Sequence, residues 1–409
     1  MRRIARPLAL AAIALLLTSC GGGGDDGAIP PFWTQGAVVA TDLNNDGLVD
    51  VAVATTYIAG PPPHPGYVDV YLQTAPGVFQ APVQYAVAPD PWGLSAGDFD
   101  GDGRPDLVAS TPKSVPAQIN TVGDSGVISI LRQDPGSPGR FLAALQVATG
   151  GAAEAAAIAE LTRDTRADIV VADGVLVNGR ALLFPQSPAQ PGTLLPPTLL
   201  SIGSGHGAQD IAVGDIDNNG LLDVALAAYD TVAVFYQKAG GFDPVVLLPV
   251  GLQPQGIALA DLDGDGRMDI VTSNAGNAPE GGIGGASVSV LLQTTADHFA
   301  RTDIPVADGA RRLAIADLNN DTFPDVAVVS LVYQALGEPS RVTVLLQSSG
   351  TRGQLAVSGT YIGPMTANFI AAADIDGDGF NDIVLNDGPN VMLQRPAAPG
   401  TFNPYQALR

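Results

Sequence analysis

One acidic nine-residue loop recurs seven times along this chain, and the interval between its copies limits what the chain can fold into. The copies read DLNNDGLVD from Asp42, DFDGDGRPD from Asp98, ELTRDTRAD from Glu160, DIDNNGLLD from Asp215, DLDGDGRMD from Asp261, DLNNDTFPD from Asp317 and DIDGDGFND from Asp374. Successive starts lie 56, 62, 55, 46, 56 and 57 residues apart. A period of this size, held from end to end, marks an array built from one supersecondary unit.

Each loop stands between two short apolar segments. Gly256 to Ala260 and Phe369 to Ala373 precede loops, whereas Asp50 to Ala54, Asp223 to Ala227 and Asp325 to Val329 follow them. Their Val and Ile content, their length and the turn residues around them point to buried strands rather than helices. A third apolar segment closes each time on glutamine: Gln73, Gln133, Gln186, Gln237, Gln293, Gln347 and Gln394. A weaker fourth follows a turn, often led by phenylalanine (Phe79, Phe141, Phe242, Phe299, Phe402). Four strands in each of seven units describe an all-β fold, a seven-bladed β-propeller of four-stranded blades.

Length variation is confined to one place. From the last loop aspartate to the repeated glutamine the separations are 23, 27, 18, 14, 24, 22 and 12 residues, whereas from that glutamine to the next loop they stay between 24 and 29. The variable turn joins the second and third strands and opens on the face opposite the acidic loops, since consecutive turns alternate sides. One face is repeated and the other individual. A binding site is expected on the individual face, because loops on a rigid scaffold carry function.

The acidic residues have a local purpose: the seven loops hold 24 of the 41 Asp and Glu residues in a chain of formal charge −22. Positions 1, 3, 5 and 9 supply side-chain oxygens and position 7 a carbonyl, an all-oxygen set suited to Ca²⁺, which takes about six to eight oxygens. An EF-hand is excluded. Position 12 is Val53, Ala109, Leu226 or Thr272 instead of glutamate, and strands flank the loop. With these residues in view, the chain resembles the FG-GAP repeat family, including bacterial VCBS-type repeats and the propeller of integrin α-subunits, over residues 35–409. The resemblance implies that the loop between the first two strands of a blade holds structural Ca²⁺. Carried over residue by residue, the ligands are Asp42, Asn44, Asp46 and Asp50; Asp98, Asp100, Asp102 and Asp106; Asp215, Asp217, Asn219 and Asp223. The later sets are Asp261, Asp263, Asp265 and Asp269; Asp317, Asn319, Asp321 and Asp325; and Asp374, Asp376, Asp378 and Asp382. The sixth loop has Thr322 where the others have glycine or, in the third, Thr165. The third loop departs from the pattern, with Glu160 too long for its place, neutral Thr162, and Arg163 and Arg166 inside it; no metal is predicted there, and the arginines are expected to pair with Asp164 or Asp168. Six Ca²⁺ ions would staple a chain that has a single cysteine and so no internal disulfide, at affinities on the order of 10⁻⁴ to 10⁻³ M.

That cysteine lies at the N-terminus. Arg2, Arg3 and Arg6 precede an apolar run from Pro7 to Leu17 that is too short for a permanent span, and the run ends in Leu17-Thr18-Ser19-Cys20. This segment resembles the lipobox of bacterial lipoproteins, which implies cleavage before Cys20 and its acylation. Residues 1–19 are therefore expected to be a signal peptide, 20–34 the lipidated Cys20 with a Gly-rich tether, and 35–409 the propeller. Gly21 after the cysteine favours the outer membrane or cell surface. Loss of the three arginines leaves a charge of −25 (−22 minus 3), which disfavours nucleic acid and anionic lipid as partners.

No catalytic constellation is legible. The three histidines, His64, His206 and His298, stand alone in turns or before a strand, and no HExxH, GxSxG, phosphate loop or Cys/His cluster occurs. On the individual face, the turns 55–66, 110–126, 272–286 and 330–340, together with Tyr57, Trp92, His206, Gln255, Arg311, Arg312 and Asn368, form the candidate ligand surface; the arginine pair suits a carboxylate. The expected function is an exported, membrane-anchored, calcium-stabilised binding or adhesion module for a glycan or protein partner, without catalysis. The rivals are a polysaccharide-active enzyme of lyase or dehydratase type, with His206 as its acid/base, and a structural subunit of an envelope complex.

Overall fold

The computed structural model describes residues 32–59, 64–112, 126–174, 179–276, 285–295, 298–331, 337–348 and 350–408. The signal peptide, Cys20 and most of the tether lie outside the described residues, as do the middles of the four long turns. The first strand begins at Phe32, three residues ahead of the expected boundary.

Seven four-stranded antiparallel sheets follow one another in chain order. Their innermost strands are Phe32–Thr41, Gly93–Gly97, Ala153–Ala159, Ala208–Gly214, Pro254–Ala260, Ala310–Ala316 and Ile370–Ala373. Each of these packs on the innermost strand of the next blade, and the last packs on the first, so the sheets close into a ring. The second strands of blades 2 to 6 (Asp106–Thr111, Asp168–Asp173, Asp223–Ala228, Asp269–Asn274 and Asp325–Ser330) are buried along their whole length. Both faces of a blade are covered by its neighbours, which is why these strands read as continuous apolar runs instead of alternating ones.

The core is accordingly divided into seven clusters, one at each junction between blades. Position 2 of every acidic loop supplies one plug per junction: Leu43, Phe99, Leu161, Ile216, Leu262, Leu318 and Ile375, each 2% exposed or less. Each plug belongs to the cluster between its own blade and the next.

The repeated glutamine pairs across the sheet with one apolar residue in every blade. Its partners are Phe79, Phe141, Leu194, Phe242, Phe299, Leu355 and Phe402 in order. Only Phe299 heads an outer strand, His298–Pro305, as the sequence pattern leads one to expect. Phe79 and Phe242 sit in separate two-stranded ladders, and the outer strands begin later, at Val83 and Val246. In those two blades the chain pairs in a short ladder at the glutamine before it joins the main sheet again.

Ring closure uses no exchanged strand: the first and last sheets are each complete within their own segments. The seam is held by an apolar cluster that joins Val38, Val51 and Val53 to Phe369, Ile375, Val384 and Val391. Hydrogen bonds also cross it, from Gln73 Nε2 to the Ile375 carbonyl (3.0 Å), Asn386 Nδ2 to the Gln35 carbonyl (3.1 Å) and the Gly388 amide to Gln35 Oε1 (2.6 Å). Closure therefore rests on side-chain packing together with these cross-seam hydrogen bonds.

Candidate metal centres and the opposite mouth

Each acidic loop curls around its first carboxylate. In the second loop, Asp98 Oδ1 accepts from the amides of Gly101 (2.8 Å) and Asp102 (3.1 Å), and Oδ2 from Gly103 (2.9 Å). Positions 4 and 6 adopt left-handed backbone to allow this, with φ of 79° and 84° at Gly101 and Gly103. Glycine suits both places; Thr322 holds position 6 of the sixth loop at φ 74°, which is costly for a β-branched residue.

Position 9 does a different job. Both oxygens of Asp106 accept backbone amides, Oδ2 from Phe99 (3.0 Å) and Oδ1 from Gln133 (2.6 Å). The Gln133 side chain in turn donates to the carbonyl of Leu43, in the preceding blade (2.6 Å). The same link recurs from Gln186 to Phe99, Gln237 to Leu161, Gln293 to Ile216, Gln347 to Leu262 and, across the seam, Gln73 to Ile375. At the sixth junction Asn381 Nδ2 reaches the Asp317 carbonyl (2.9 Å). A belt of aspartate, amide and glutamine thus runs around the ring under the acidic loops. The recurrence of glutamine was visible in the sequence; its bond to the neighbouring blade was not, because that partner lies 76 to 302 residues away.

Five loops bring three carboxylates within ligand distance of one another: Asp98, Asp100 and Asp106; Asp215, Asp217 and Asp223; Asp261, Asp263 and Asp265; Asp317, Asp321 and Asp325; Asp374, Asp376 and Asp382. These groups can hold a metal ion. The donor sets pass a further test of fit: Oδ1 of Asp100, Asp217 and Asp376, all at position 3, is buried without a hydrogen-bond partner. A cation would satisfy such oxygens. Burial, aided by neighbouring carboxylates, pushes Asp100 and Asp376 above the usual carboxylate range. At position 9, burial outweighs two amide bonds and raises Asp50, Asp106, Asp223 and Asp269 to about 6, and Asp325 and Asp382 to about 7. In the first and sixth loops the position-3 asparagine donates to the position-5 carboxylate, Asn44 Nδ2 to Asp46 Oδ2 (2.9 Å) and Asn319 Nδ2 to Asp321 Oδ2 (3.1 Å). In the fourth loop Lys238 forms an ion pair with Asp217.

In the third loop Glu160 accepts the amides of Thr162, Arg163 and Asp164 on Oε1, whereas Asp98 takes those of positions 4, 5 and 6 on both oxygens. The arginines do not form the expected ion pairs with Asp164 or Asp168: Arg163 Nη1 donates to the Ala239 carbonyl (3.0 Å) and Arg166 Nη2 to the Pro188 carbonyl (3.1 Å). Asp168 keeps its place in the belt, holding the amides of Leu161 (2.9 Å) and Gln186 (2.8 Å). The loop retains its fold with a backbone nest, and its three carboxylates, Glu160, Asp164 and Asp168, are not among the groups that come within ligand distance of one another.

At the other end of the inner strands, the ladders are interrupted by bulges. Register shifts fall between Gln35 and Val38, Ala153 and Ala155, Ala208 and Asp210, Pro254 and Gly256, and Ala310 and Leu313. The extra residues include Glu154, Gln209, Gln255, Arg311 and Arg312. A bulge re-aims side chains, and here polar groups from four blades are set at one mouth of the ring. Arg312 reaches past blade 5. Its Nη2 donates to the Gln209 carbonyl (3.0 Å), its Nη1 lies 3.8 Å from Asp210 Oδ2, and its guanidinium stands 5.1 Å from the centre of the Phe369 ring. Trp92 meets Phe369 edge-on at 5.1 Å. Burial pushes Glu154 up to about 7 against the pull of Arg312, and burial likewise raises Asp210. Arg311 donates to Gln255 Oε1 (3.0 Å), while burial, followed by the like charge of Arg312, lowers its pKa.

The expected ligand residues therefore divide. Trp92, Gln255, Arg311 and Arg312 stand around this mouth, and Asn368, which accepts from Asn386 Nδ2 (2.7 Å), precedes Phe369 there. Tyr57 belongs to an aromatic group with the half-exposed Trp33, whose ring centre is 4.8 Å from Tyr57 and 5.8 Å from Tyr67. His206 lies 3.9 Å from Asp230. Sequence reasoning missed Glu154 and Asp210, which carry no motif and become neighbours of Arg312 only when the ring closes.

Two repeat descriptions match the chain: the FG-GAP-like repeat over residues 42–109 and 215–272, and the FG-GAP repeat over 91–131. The protein is a seven-bladed β-propeller that carries FG-GAP-type repeats over these residues. No curated protein matches it. Among solved structures it resembles a putative 6-phosphogluconolactonase from Bacteroides uniformis (13% identity, TM-score 0.55, 90% of this chain and 94% of that one). It also resembles BBS1N, crystallised in complex with ARL6DN (13%, 0.54, 90% and 95%), and a Bacillus licheniformis rhamnogalacturonan lyase (14%, 0.50, 88% and 71%). At these identities the likeness is one of fold.

Proposed function

We propose that this chain is an exported, Cys20-anchored, calcium-stabilised propeller that binds a glycan or protein partner through the mouth opposite its acidic loops. The observation that carries this reading is the division of labour between the two ends of the inner strands. One end repeats a single metal-fitted loop, whereas the other sets different residues, Glu154, Gln255, Arg311 and Trp92, around one opening. Bound Ca²⁺ would supply positive charge to the buried, unpaired oxygens of Asp100, Asp217 and Asp376 and so add binding energy to folding. Lipid on Cys20 would hold the ring at the outer membrane or cell surface.

The test is capture of glycans and envelope proteins by the full chain, with and without the changes Trp92→Ala and Gln255→Ala at the mouth and Asp378→Asn at the loop face. Capture that fails only with the mouth variants supports the reading; capture sensitive only to Asp378→Asn sinks it. The enzyme reading has one observation in its favour, Glu154 poised at about 7 beside Arg312. Turnover of a captured glycan that is abolished by Glu154→Gln would replace binding with catalysis.

A further inference from the structure

The two arginines at the mouth are adjacent in sequence but not alike. Arg312 is occupied: Asp210, the Gln209 carbonyl and the Phe369 face surround it, and Glu154 adds its attraction. Its side chain is only 12% exposed. Arg311 is half-buried, and among the described residues its guanidinium has one hydrogen-bond partner, the neutral amide of Gln255. A guanidinium carries five donors in a rigid fork matched to a carboxylate. Arg311 thus sits beside a like charge with most of that capacity unused by the protein.

We propose that Arg311 and Gln255 form a site for the carboxylate of an acidic sugar, a uronic acid unit within a glycan. This rests on the proposed binding role of the mouth and names its ligand class. The guanidinium takes the carboxylate through two parallel N–H···O bonds. The Gln255 amide, whose oxygen is already engaged by Arg311, turns its N–H groups to ring hydroxyls. The amide of Gln209 at the neighbouring bulge adds a second neutral hydrogen-bonding group, and half-buried Trp92 supplies an apolar wall. Among the described residues of this mouth, one guanidinium without a carboxylate partner, set among neutral amides, fits a ligand with one charge per sugar. A dense polyanion would be repelled by a chain of formal charge −22. The acids facing the pair are Glu154 and Asp210, and both face Arg312.

The experiment is a ligand-observed NMR titration of the full chain in detergent with saturating Ca²⁺. The probes are methyl glucuronide and methyl galacturonide, their neutral glucoside and galactoside counterparts, and acetate. At least one uronide is expected to bind more tightly than its neutral counterpart and than acetate. Arg311→Gln should weaken it by on the order of ten- to a hundredfold, the range of a charge-assisted hydrogen bond. Arg311→Lys, which keeps the charge and loses the fork, should fall between the two and covers the case in which Arg311→Gln does not fold. Absence of uronide binding, or binding undiminished in a folded Arg311 variant, overturns the proposal; acetate binding as tightly as the uronide overturns the sugar. A partner captured equally well by Arg311→Gln would leave the binding role standing and this site refuted.

Discussion

Removing the Gln186 side chain tests the belt at the blade whose own loop brings no three carboxylates within ligand distance of one another. Gln186 is 1% exposed. Its Nε2 donates to the carbonyls of Phe99 (2.7 Å) and Ala167 (2.7 Å), and its Oε1 accepts from the Gly192 amide (2.8 Å). Gln186→Ala leaves three backbone groups without these partners, and an orphaned buried group costs about 1–3 kcal/mol. Cavity water can replace part of this, so the expected loss is about 3 kcal/mol, with about 5 kcal/mol as the upper end for a single substitution. Urea unfolding of the full chain, followed by the fluorescence of Trp33 and Trp92, measures it. The loss should be the same in Ca²⁺ and in chelator, because the backbone bond of Gln186 to Asp168 survives and no metal ligand changes. A loss below about 1 kcal/mol, or one that disappears in chelator, would refute the belt as a calcium-independent tie between blades.

Three other outcomes are expected. In chelator, melting temperature should fall as pH rises from about 4 to 7: Asp50, Asp106, Asp223, Asp269, Asp325 and Asp382 have folded pKa values raised from 3.8 to about 6 or 7, so their contribution is full below the unfolded value and lost through the folded one. Saturating Ca²⁺ should remove or reverse that slope, and a chelated protein equally stable at both ends of the range would contradict the burial argument. Thr322→Gly relieves left-handed backbone at φ 74° and should stabilise the calcium-loaded protein by about 1 kcal/mol, read as a rise in melting temperature. Arg312→Met strands Asp210 and Glu154 and should cost about 3 kcal/mol or more in urea unfolding; an unchanged midpoint would show that the mouth is not tied by Arg312.

The repeat alone determined the number of blades, four strands to each, and the position of the acidic loops. Local sequence carries that information: a turn that needs left-handed backbone at positions 4 and 6, and buried strands that need apolar runs, announce themselves in consecutive residues. Even the odd third loop was legible as a departure, although the way Glu160 and Arg163 resolve it was not. Tertiary structure decided everything that depends on which blades touch. Gln133 finds Leu43 and Gln73 finds Ile375 because the ring brings distant segments to a single junction. Arg311 and Arg312, identical neighbours in the chain, part company because a bulge sends one past blade 5 to Asp210 and leaves the other on the neutral amide of Gln255. Periodicity fixes what each unit is; only closure of the ring determines which charges are spent on the fold and which remain for a ligand.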